Sequence, residues 1–313
     1  MSGVGNKVVA TDYNAIQSII NSVMGSGSGT TGWGQTVLSS QVAVNSKVTT
    51  TQWNNLQTDL QNAYQHITGG IGSLTTASTS IKIAESDRAA YLAMANYVNS
   101  NVNSIPPSGQ ASVQQLQQGV KSVAWNGTVT HTVTLTFLNV NYARYFFNSG
   151  GLIQFTAGLS GFSTSDGSYQ KDLSWQTLLT NLGTINFGLN GTTCTGTPTT
   201  ISSSTGYTYL AAHPGTPVTL VQKITSAPIY SPSQYDLTAQ VDGTGTQITF
   251  QAMFEDQSTG ATKSGQGGGN PTYPQFAIDQ NVEGTLTSTC SAYYASGNVS
   301  VQSYLPSSTQ SGP

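Results

Sequence analysis

The stretch that decides the fold runs from Thr128 to Phe187 and begins Thr128-Val-Thr-His-Thr-Val-Thr-Leu-Thr-Phe137. Apolar side chains alternate with threonine here, and His131 lies on the apolar side. Because successive side chains of a strand point to opposite faces, the alternation predicts a half-buried strand with threonines outside. At such a position a buried, hydrogen-bonded histidine is more common than a ligand or a base.

An aromatic cluster follows, Asn141-Tyr-Ala-Arg-Tyr-Phe-Phe-Asn-Ser-Gly-Gly151, and its small polar end predicts a turn. Leu152 to Ala157 then predicts a returning strand. Arg144 is the one charged residue in the cluster, so we expect it to stack on an aromatic ring or to pair with an acid such as Asp172.

Farther along, Trp175 and the leucines after it recur at helical spacing, with Asp172 or Ser174 as candidate caps and Gly183 suited to the position after the helix. The pattern predicts a helix, and Thr184 to Phe187 predicts another strand.

Three of these segments resemble part of the structural proteins of tailed-bacteriophage virions, particularly phages of aquatic bacteria. They are Ala143-Arg-Tyr-Phe-Phe-Asn-Ser-Gly-Gly151, Ser174-Trp-Gln-Thr-Leu-Leu179 and Leu182-Gly-Thr-Ile-Asn-Phe187. The resemblance implies a non-enzymatic role in particle assembly, other virion proteins as partners, and a virion location after assembly in the bacterial cytoplasm. It supplies no catalytic or binding residues.

The composition is polar but poor in charge. Charged residues make up 7% of the 313 residues, against an ordinary level of about 25%. With 36% hydrophobic residues the chain should still fold. Because charges are few, copies of the chain repel each other little and can pack closely. The nine Lys and Arg residues are scattered and the net charge is -3, which argues against direct nucleic-acid binding. No signal peptide and no bilayer-spanning apolar run are evident, so no membrane insertion is expected.

Residues 7–23 and 47–63 form a two-copy repeat at a spacing of 40, in which Tyr13-Asn14 aligns with Trp53-Asn54. Each copy predicts an extended entry, a threonine cap and a helix. Trp33 lies in a glycine-rich segment between them. These aromatic residues either dock a neighbouring subunit or form the core of a small domain, and the second interpretation is favoured.

Residues 81–105 predict a long helix with one apolar seam, ended by Pro106-Pro107. The seam pairs either between subunits or within the chain. Taken together, the candidate subunit-interface residues are Tyr13, Trp33, Trp53, Tyr91, Val98 and Val102.

Beyond the prolines the chain changes character. Gln110 to Gln118 predicts a polar linker or short helix, and the tail after Pro306 is expected to be disordered unless a neighbour holds it. Strands are predicted at Val218–Ile224, Tyr235–Val241, Gln247–Phe254, Val282–Tyr294 and Val299–Tyr304, with a glycine-rich loop at Gly265–Pro271. The predicted fold is α+β: an α-helical region over residues 1–108, then an antiparallel β-sandwich of jelly-roll or Greek-key type over residues 109–313.

No spacing typical of a zinc site, a nucleophile elbow or a phosphate-binding loop occurs, so we expect neither an enzyme nor a cofactor or metal. The acidic residues are sparse, and a glycan hydrolase would need two of them to face each other across a cleft. The candidates are Asp236, Asp242, Glu255, Asp256 and Asp279. Cys194 and Cys290 fit no motif, and free thiols are favoured over a disulfide.

The resemblance therefore implies a virion structural protein. The order of a helical region and then a β-sandwich favours the tail, baseplate or a fibre, with a capsid-decoration or head-fibre protein as the rival. A closed homo-oligomer, most simply a trimer, is expected. The alternative from another class is a module that binds host-surface glycans through exposed rings. Its candidate contact residues are Tyr207, Tyr209, Tyr293 and Tyr294.

Overall fold

The computed structural model describes residues 8–27, 31–104, 106, 111–163, 170–226, 232–257, 281–297 and 299–312. Helices dominate the N-terminal part and two antiparallel sheets the rest, which confirms the predicted α+β class. The predicted loop at Gly265–Pro271 lies outside the described residues.

The chain divides into two compact units, each built from separated segments. The first comprises Met1–Val113, Phe137–Leu152 and Tyr293–Leu305, and the second comprises Gln114–Thr136, Ile153–Ala292 and Pro306–Pro313. The sequence-based division at residue 108 did not assign the two later segments to the helical region.

The described residues of the first unit form four α-helices: α1 (Ala10–Met24), α2 (Thr50–Thr68), α3 (Glu85–Ser100) and α4 (Val140–Asn148). The predicted helix over residues 81–105 is thus shorter than expected. Helix α4 was not predicted, because its aromatic residues favour strands as much as helices. A local cap explains its start, since the Asn139 side chain accepts a hydrogen bond from the Tyr142 N–H at 3.1 Å.

The first three helices begin alike. In each, the third helical residue turns back and accepts a hydrogen bond from the N–H of the residue before the helix. The acceptors are Asp12, Gln52 and Asp87, at 3.3, 2.8 and 2.8 Å. These bonds satisfy N–H groups that have no partner within the helix.

The two-copy repeat is a structural duplication centred on two asparagines. Asn14 of α1 accepts from the Val42 N–H and donates to the Val42 carbonyl oxygen, both at 2.8 Å. Asn54 of α2 makes the same pair of bonds with Ala77, at 3.0 and 3.1 Å. Each helix therefore holds an extended segment that follows it in the chain.

A glutamine one turn later repeats the arrangement. Gln17 donates to the Ser39 carbonyl oxygen at 3.2 Å, and Gln57 donates to the Leu74 carbonyl oxygen at 3.0 Å. Both acceptors lie three residues before the residue held by the asparagine. The matched positions at a spacing of 40 thus have matched contacts.

The described residues form eleven strands, which are divided between two sheets. The five-stranded sheet runs in the order β1 (Ala111–Lys121), β10 (Thr285–Ala295), β3 (Leu152–Ser160), β4 (Ile185–Phe187) and β5 (Thr192–Cys194). The six-stranded sheet runs in the order β11 (Ser307–Ser311), β2 (Gly127–Thr136), β9 (Gln247–Asp256), β8 (Gln234–Val241), β7 (Val218–Ile224) and β6 (Thr200–Ile201). Helices α5 (Gln170–Leu182) and α6 (Tyr207–Ala212) complete the described elements.

The alternating strand is β2, and its apolar side is buried as predicted. Its neighbour β9 supplies matching residues, with Val133 opposite Phe250. Phe250 also contacts Phe155 and Phe187 of the other sheet, with ring centroids 4.8 and 5.3 Å apart. Aromatic packing thus joins the two sheets.

Several boundaries are as predicted. Helix α5 is followed by Gly183 with φ +67°, a conformation that glycine adopts without strain. Strands β7, β8, β9 and β10 lie where alternation placed them. The strand after the aromatic cluster also exists, but β3 lies in the five-stranded sheet and does not pair with β2.

Three predictions in the second half were wrong. The expected linker at Gln110–Gln118 lies largely in strand β1, and the expected disordered tail forms β11, which pairs with β2. The expected strand at Val299–Tyr304 contains a short 3-10 turn at Gln302–Tyr304. Polar β1 and β11 lack hydrophobic alternation, so pairing with neighbours decides their conformation.

Candidate functional site

The candidate interface residues form the interior of the first unit. Tyr13, Trp33, Tyr91 and Val98 are fully buried, Trp53 is nearly so, and Val102 is partly exposed. Trp53 lies between Tyr13 and Tyr91, with ring centroids 5.2 and 5.1 Å apart in edge-on geometry. The docking interpretation was therefore wrong for the five buried residues, because their side chains fill the core between the helices.

Trp33 is the centre of the polar contacts in this unit. Its indole N–H is within hydrogen-bond distance of the carbonyl oxygens of Val102 and Asn148, at 3.0 and 3.1 Å. Asn148 returns a bond from its side-chain amide to the Gly32 carbonyl oxygen at 2.9 Å. The glycine-rich segment is thereby fixed to the end of α4.

His66 of α2 completes this cluster. Its Nε2 lies 2.8 Å from the Ser149 carbonyl oxygen, and its ring packs on Trp33 with centroids 4.5 Å apart. Burial lowers the pKa of His66 to about 4, although the bond to Ser149 opposes the shift. The neutral ring therefore acts as a structural donor at neutral pH. Sequence analysis did not pair His66 with the Asn148-Ser149 motif, because no local pattern links them.

Arg144 lies over an aromatic ring, one of the two contacts expected of it, and its hydrogen bonds go to backbone carbonyl oxygens. Its guanidinium lies over the Tyr145 ring, 4.7 Å from the centroid, and donates to the carbonyl oxygens of Thr31 and Ser26 at 2.6 and 2.9 Å. The suggested partner Asp172 instead accepts a hydrogen bond from the Glu283 N–H at 2.6 Å. Arg144 thus holds the same glycine-rich segment as Asn148.

The candidate glycan-contact tyrosines do not form an exposed platform. Tyr207 and Tyr294 are buried, and Tyr293 is partly buried, with its hydroxyl donating to the Pro106 carbonyl oxygen at 3.2 Å. Tyr209 is 42% exposed, and its ring is stacked on His213 with centroids 4.3 Å apart. Strand alternation and helix packing turn Tyr207 and Tyr294 inward, so these two assignments were wrong.

Asp236 of β8 and Glu255 of β9 share a hydrogen-bond donor in the six-stranded sheet, and Asp236 is buried. The Gln234 amide donates to Asp236 at 2.8 Å and to Glu255 at 3.1 Å. Burial, with a smaller contribution from Glu255, raises the pKa of Asp236. Within the described residues no group of three or more His, Cys, Asp and Glu could hold a metal ion.

The second unit also contains a buried ion pair, between Lys171 of α5 and Asp256 at the end of β9. Both side chains are fully buried, and Ser233 donates to Asp256 Oδ1 at 3.0 Å. Sequence analysis did not single out Lys171. Its spacing of four residues from Trp175 places it on the buried face of the helix, and that periodicity was the available signal.

The clearest candidate interaction surface is the edge strand β1. It has eleven residues, whereas the other edges of the described sheets, β5, β6 and β11, have three, two and five. Gln114 and Gln115 are exposed and Val120 is 47% exposed. Edges are ordinarily protected by short length, charge or proline, and β1 carries only the terminal Lys121. One of its carbonyl oxygens, that of Leu116, accepts a hydrogen bond from the Ser308 hydroxyl at 3.1 Å.

Comparisons with protein-family models, curated proteins and solved structures found no match to this chain. None of the helices in the described part is long and apolar enough to cross a membrane.

Proposed function

We propose that this chain is a non-enzymatic structural protein of a tailed-bacteriophage virion, in the tail, baseplate or a fibre, and that it works as a homo-oligomer. Support for the virion role comes from the segments at Ala143–Gly151, Ser174–Leu179 and Leu182–Phe187, which resemble such proteins. A charge-poor surface supports close packing of copies, since like charges do not oppose it.

The observation that carries the assembly proposal is strand β1. An edge strand presents unpaired N–H and C=O groups that pair readily with another strand. With eleven residues, β1 is long enough to add a strand from a neighbouring copy. Its exposed Gln and Val side chains place little charge against such pairing.

The number of copies depends on which edge β1 meets. Pairing with β1 of a second copy is isologous and gives a two-fold dimer. Pairing with a different edge of the next copy gives a ring when the rotation closes, and the trimer is the smallest such ring. The apolar seam of α3 is buried within the chain and does not support a trimer. A trimer therefore depends on pairing of β1 with a different edge of the next copy.

We also assign the two sheets to a β-sandwich of jelly-roll or Greek-key type. The contacts of Phe155 and Phe187 with Phe250 support face-to-face packing. At the sheet edges, Gln117 of β1 donates to Ser308 of β11 at 2.9 and 3.0 Å. The helical region would be the attachment part and the sandwich the displayed part.

Light scattering of the purified chain tests assembly. We expect an oligomer for the wild type and a monomer for Gln115→Lys/Val120→Lys, because lysines on an edge strand oppose pairing. The control is Gln251→Lys, an exposed position on the interior strand β9, which should stay oligomeric. A wild-type chain that stays monomeric at high concentration would overturn the proposed homo-oligomer. A double variant that stays oligomeric would show that β1 is not the pairing edge.

Immunogold labelling of intact particles, with antibody against residues 109–313, tests the location. Tail or fibre label supports the proposal. Label over the capsid supports a decoration or head-fibre protein instead. Particles whose proteins, analysed by mass spectrometry, lack this chain would contradict the virion role.

A further inference from the structure

We propose that Lys171 and Asp256 become joined by an intramolecular amide bond, from Lys171 Nζ to Asp256 Cγ. The two groups form a direct ion pair between α5 and the end of β9, both within the second unit. This inference does not depend on the virion role or on oligomerisation.

The surroundings favour condensation. Both side chains are completely shielded from solvent. Trp175 lies one helical turn after Lys171, Phe254 lies two residues before Asp256 on the same strand face, and their rings are 6.4 Å apart. Keeping two charges away from water costs free energy. An amide is neutral, and its formation removes both charges.

The reaction balances without an external reagent. Lys171 begins as an ammonium and Asp256 as a carboxylate. Two ammonium protons pass to Asp256 Oδ2, the nitrogen lone pair forms the bond to Cγ, and the Cγ–Oδ2 bond breaks. One water leaves, one hydrogen stays on the new amide nitrogen, and no atom is oxidised or reduced.

Ser233 is placed to assist. Its hydroxyl donates to Asp256 Oδ1 at 3.0 Å, and the residue is buried. Oδ1 is the oxygen that stays as the amide carbonyl and that carries negative charge in the tetrahedral intermediate. A fixed donor aimed at such an oxygen stabilises the charge as it develops.

Asp172 acts as a positioning residue. Its carboxylate accepts a hydrogen bond from the Glu283 N–H at 2.6 Å, which fixes the first turn of α5. Because Lys171 lies in the same turn, this contact helps to keep its amine against Asp256.

The test is the mass of the purified, folded full-length chain after denaturation and reduction. We expect a mass lower than that of the sequence by one water, and a cross-linked peptide pair containing Lys171 and Asp256. The peptide pair is essential, because Asp242-Gly243 can also lose water by cyclising. A wild-type chain with the full sequence mass, or without the linked peptides, overturns the proposal.

Two variants separate the bond from the ion pair. Lys171→Arg keeps a positive charge opposite Asp256 but should show the full sequence mass and no linked peptides. Ser233→Ala should still link, but more slowly, when the linked fraction is followed by mass after refolding. Linkage at the wild-type rate in Ser233→Ala would remove Ser233 from the mechanism, and linked peptides in Lys171→Arg would mean a different bond.

Discussion

His66 Nε2 lies 2.8 Å from the carbonyl oxygen of Ser149, so a helix from the N-terminal repeat is hydrogen-bonded to the residue that follows α4. The two residues are 83 positions apart in the chain. Because a carbonyl oxygen can only accept, His66 must carry its proton on Nε2. This bond gives the first unit a titratable contact.

Acid should therefore weaken this unit. The folded pKa of His66 is about 4, below the ordinary value of 6.5, so the unfolded chain takes up the proton first as pH falls. The contribution of neutral His66 to stability is fully present above its pKa in the unfolded chain. It is lost as the pH falls from there toward its pKa in the folded chain. The free energy of unfolding should therefore fall by about 2 kcal/mol between about pH 7.5 and about pH 5.

Chemical denaturation at these two pH values measures the effect. His66→Gln keeps an amide donor but cannot titrate, so its stability should change less with pH than that of the wild type. Burial also lowers the pKa of His131, so part of the pH dependence should remain. His213→Gln, at an exposed position, is the matched control and should behave as the wild type. If the stability of the wild type and of His66→Gln changed equally with pH, His66 would not be the source of the pH dependence.

Replacing Trp33 by Phe should destabilise the first unit by about 1–3 kcal/mol, because the carbonyl oxygens of Val102 and Asn148 lose their donor. Trp125→Phe is the matched control. The Trp125 indole N–H is buried and has no hydrogen-bond partner among the described residues. Urea unfolding should show the larger loss for Trp33→Phe, and a larger loss for Trp125→Phe would argue against the role of this bond.

The duplicated asparagines should have similar energetic roles. Asn14→Ala and Asn54→Ala each remove two bonds to a backbone segment, and each should cost about 1–3 kcal/mol. Asn96→Ala, at an exposed position in α3, should cost almost nothing. Thermal unfolding of the three variants makes the comparison. A strong loss at one repeat and none at the other would show that the contacts are not equivalent.

The two cysteines should remain thiols that react slowly. Both are free, and Cys290 is fully buried while Cys194 donates to the Leu182 carbonyl oxygen at 2.6 Å. Burial raises the pKa of both thiols, and the thiolate is the reactive form. Labelling with a thiol reagent should be slow in buffer and complete in denaturant. Rapid labelling of Cys290 in the folded chain would contradict its placement.

Local periodicity predicted much of the fold. The alternation in β2 identified its buried side, and the spacing of 40 identified α1 and α2 together with Asn14 and Asn54, which have equivalent contacts. Both signals reside in consecutive residues, so they can be read without knowing the partner segments.

The contacts between distant segments could not be predicted in this way. Strand β11 exists because it pairs with β2. The helical spacing that places Lys171 on a buried face does not reveal Asp256 as its partner. The sequence around Trp33 likewise does not indicate that the Asn148 carbonyl oxygen accepts a hydrogen bond from its indole N–H. In each case the deciding interaction joins residues far apart in the chain, and a single sequence contains no pattern linking them.

The discontinuous first unit also constrains folding during synthesis. Helices α1 to α3 leave the ribosome early, yet Asn148 and Ser149 arrive later, and Tyr304, whose hydroxyl donates to the Gly34 carbonyl oxygen, arrives last. Until Asn148 and Ser149 have been synthesised, the indole of Trp33 and the ring of His66 lack these two partners. Domains are generally completed in the order of translation. Here the unit that is begun first is completed only after the intervening segments of the second unit have been synthesised.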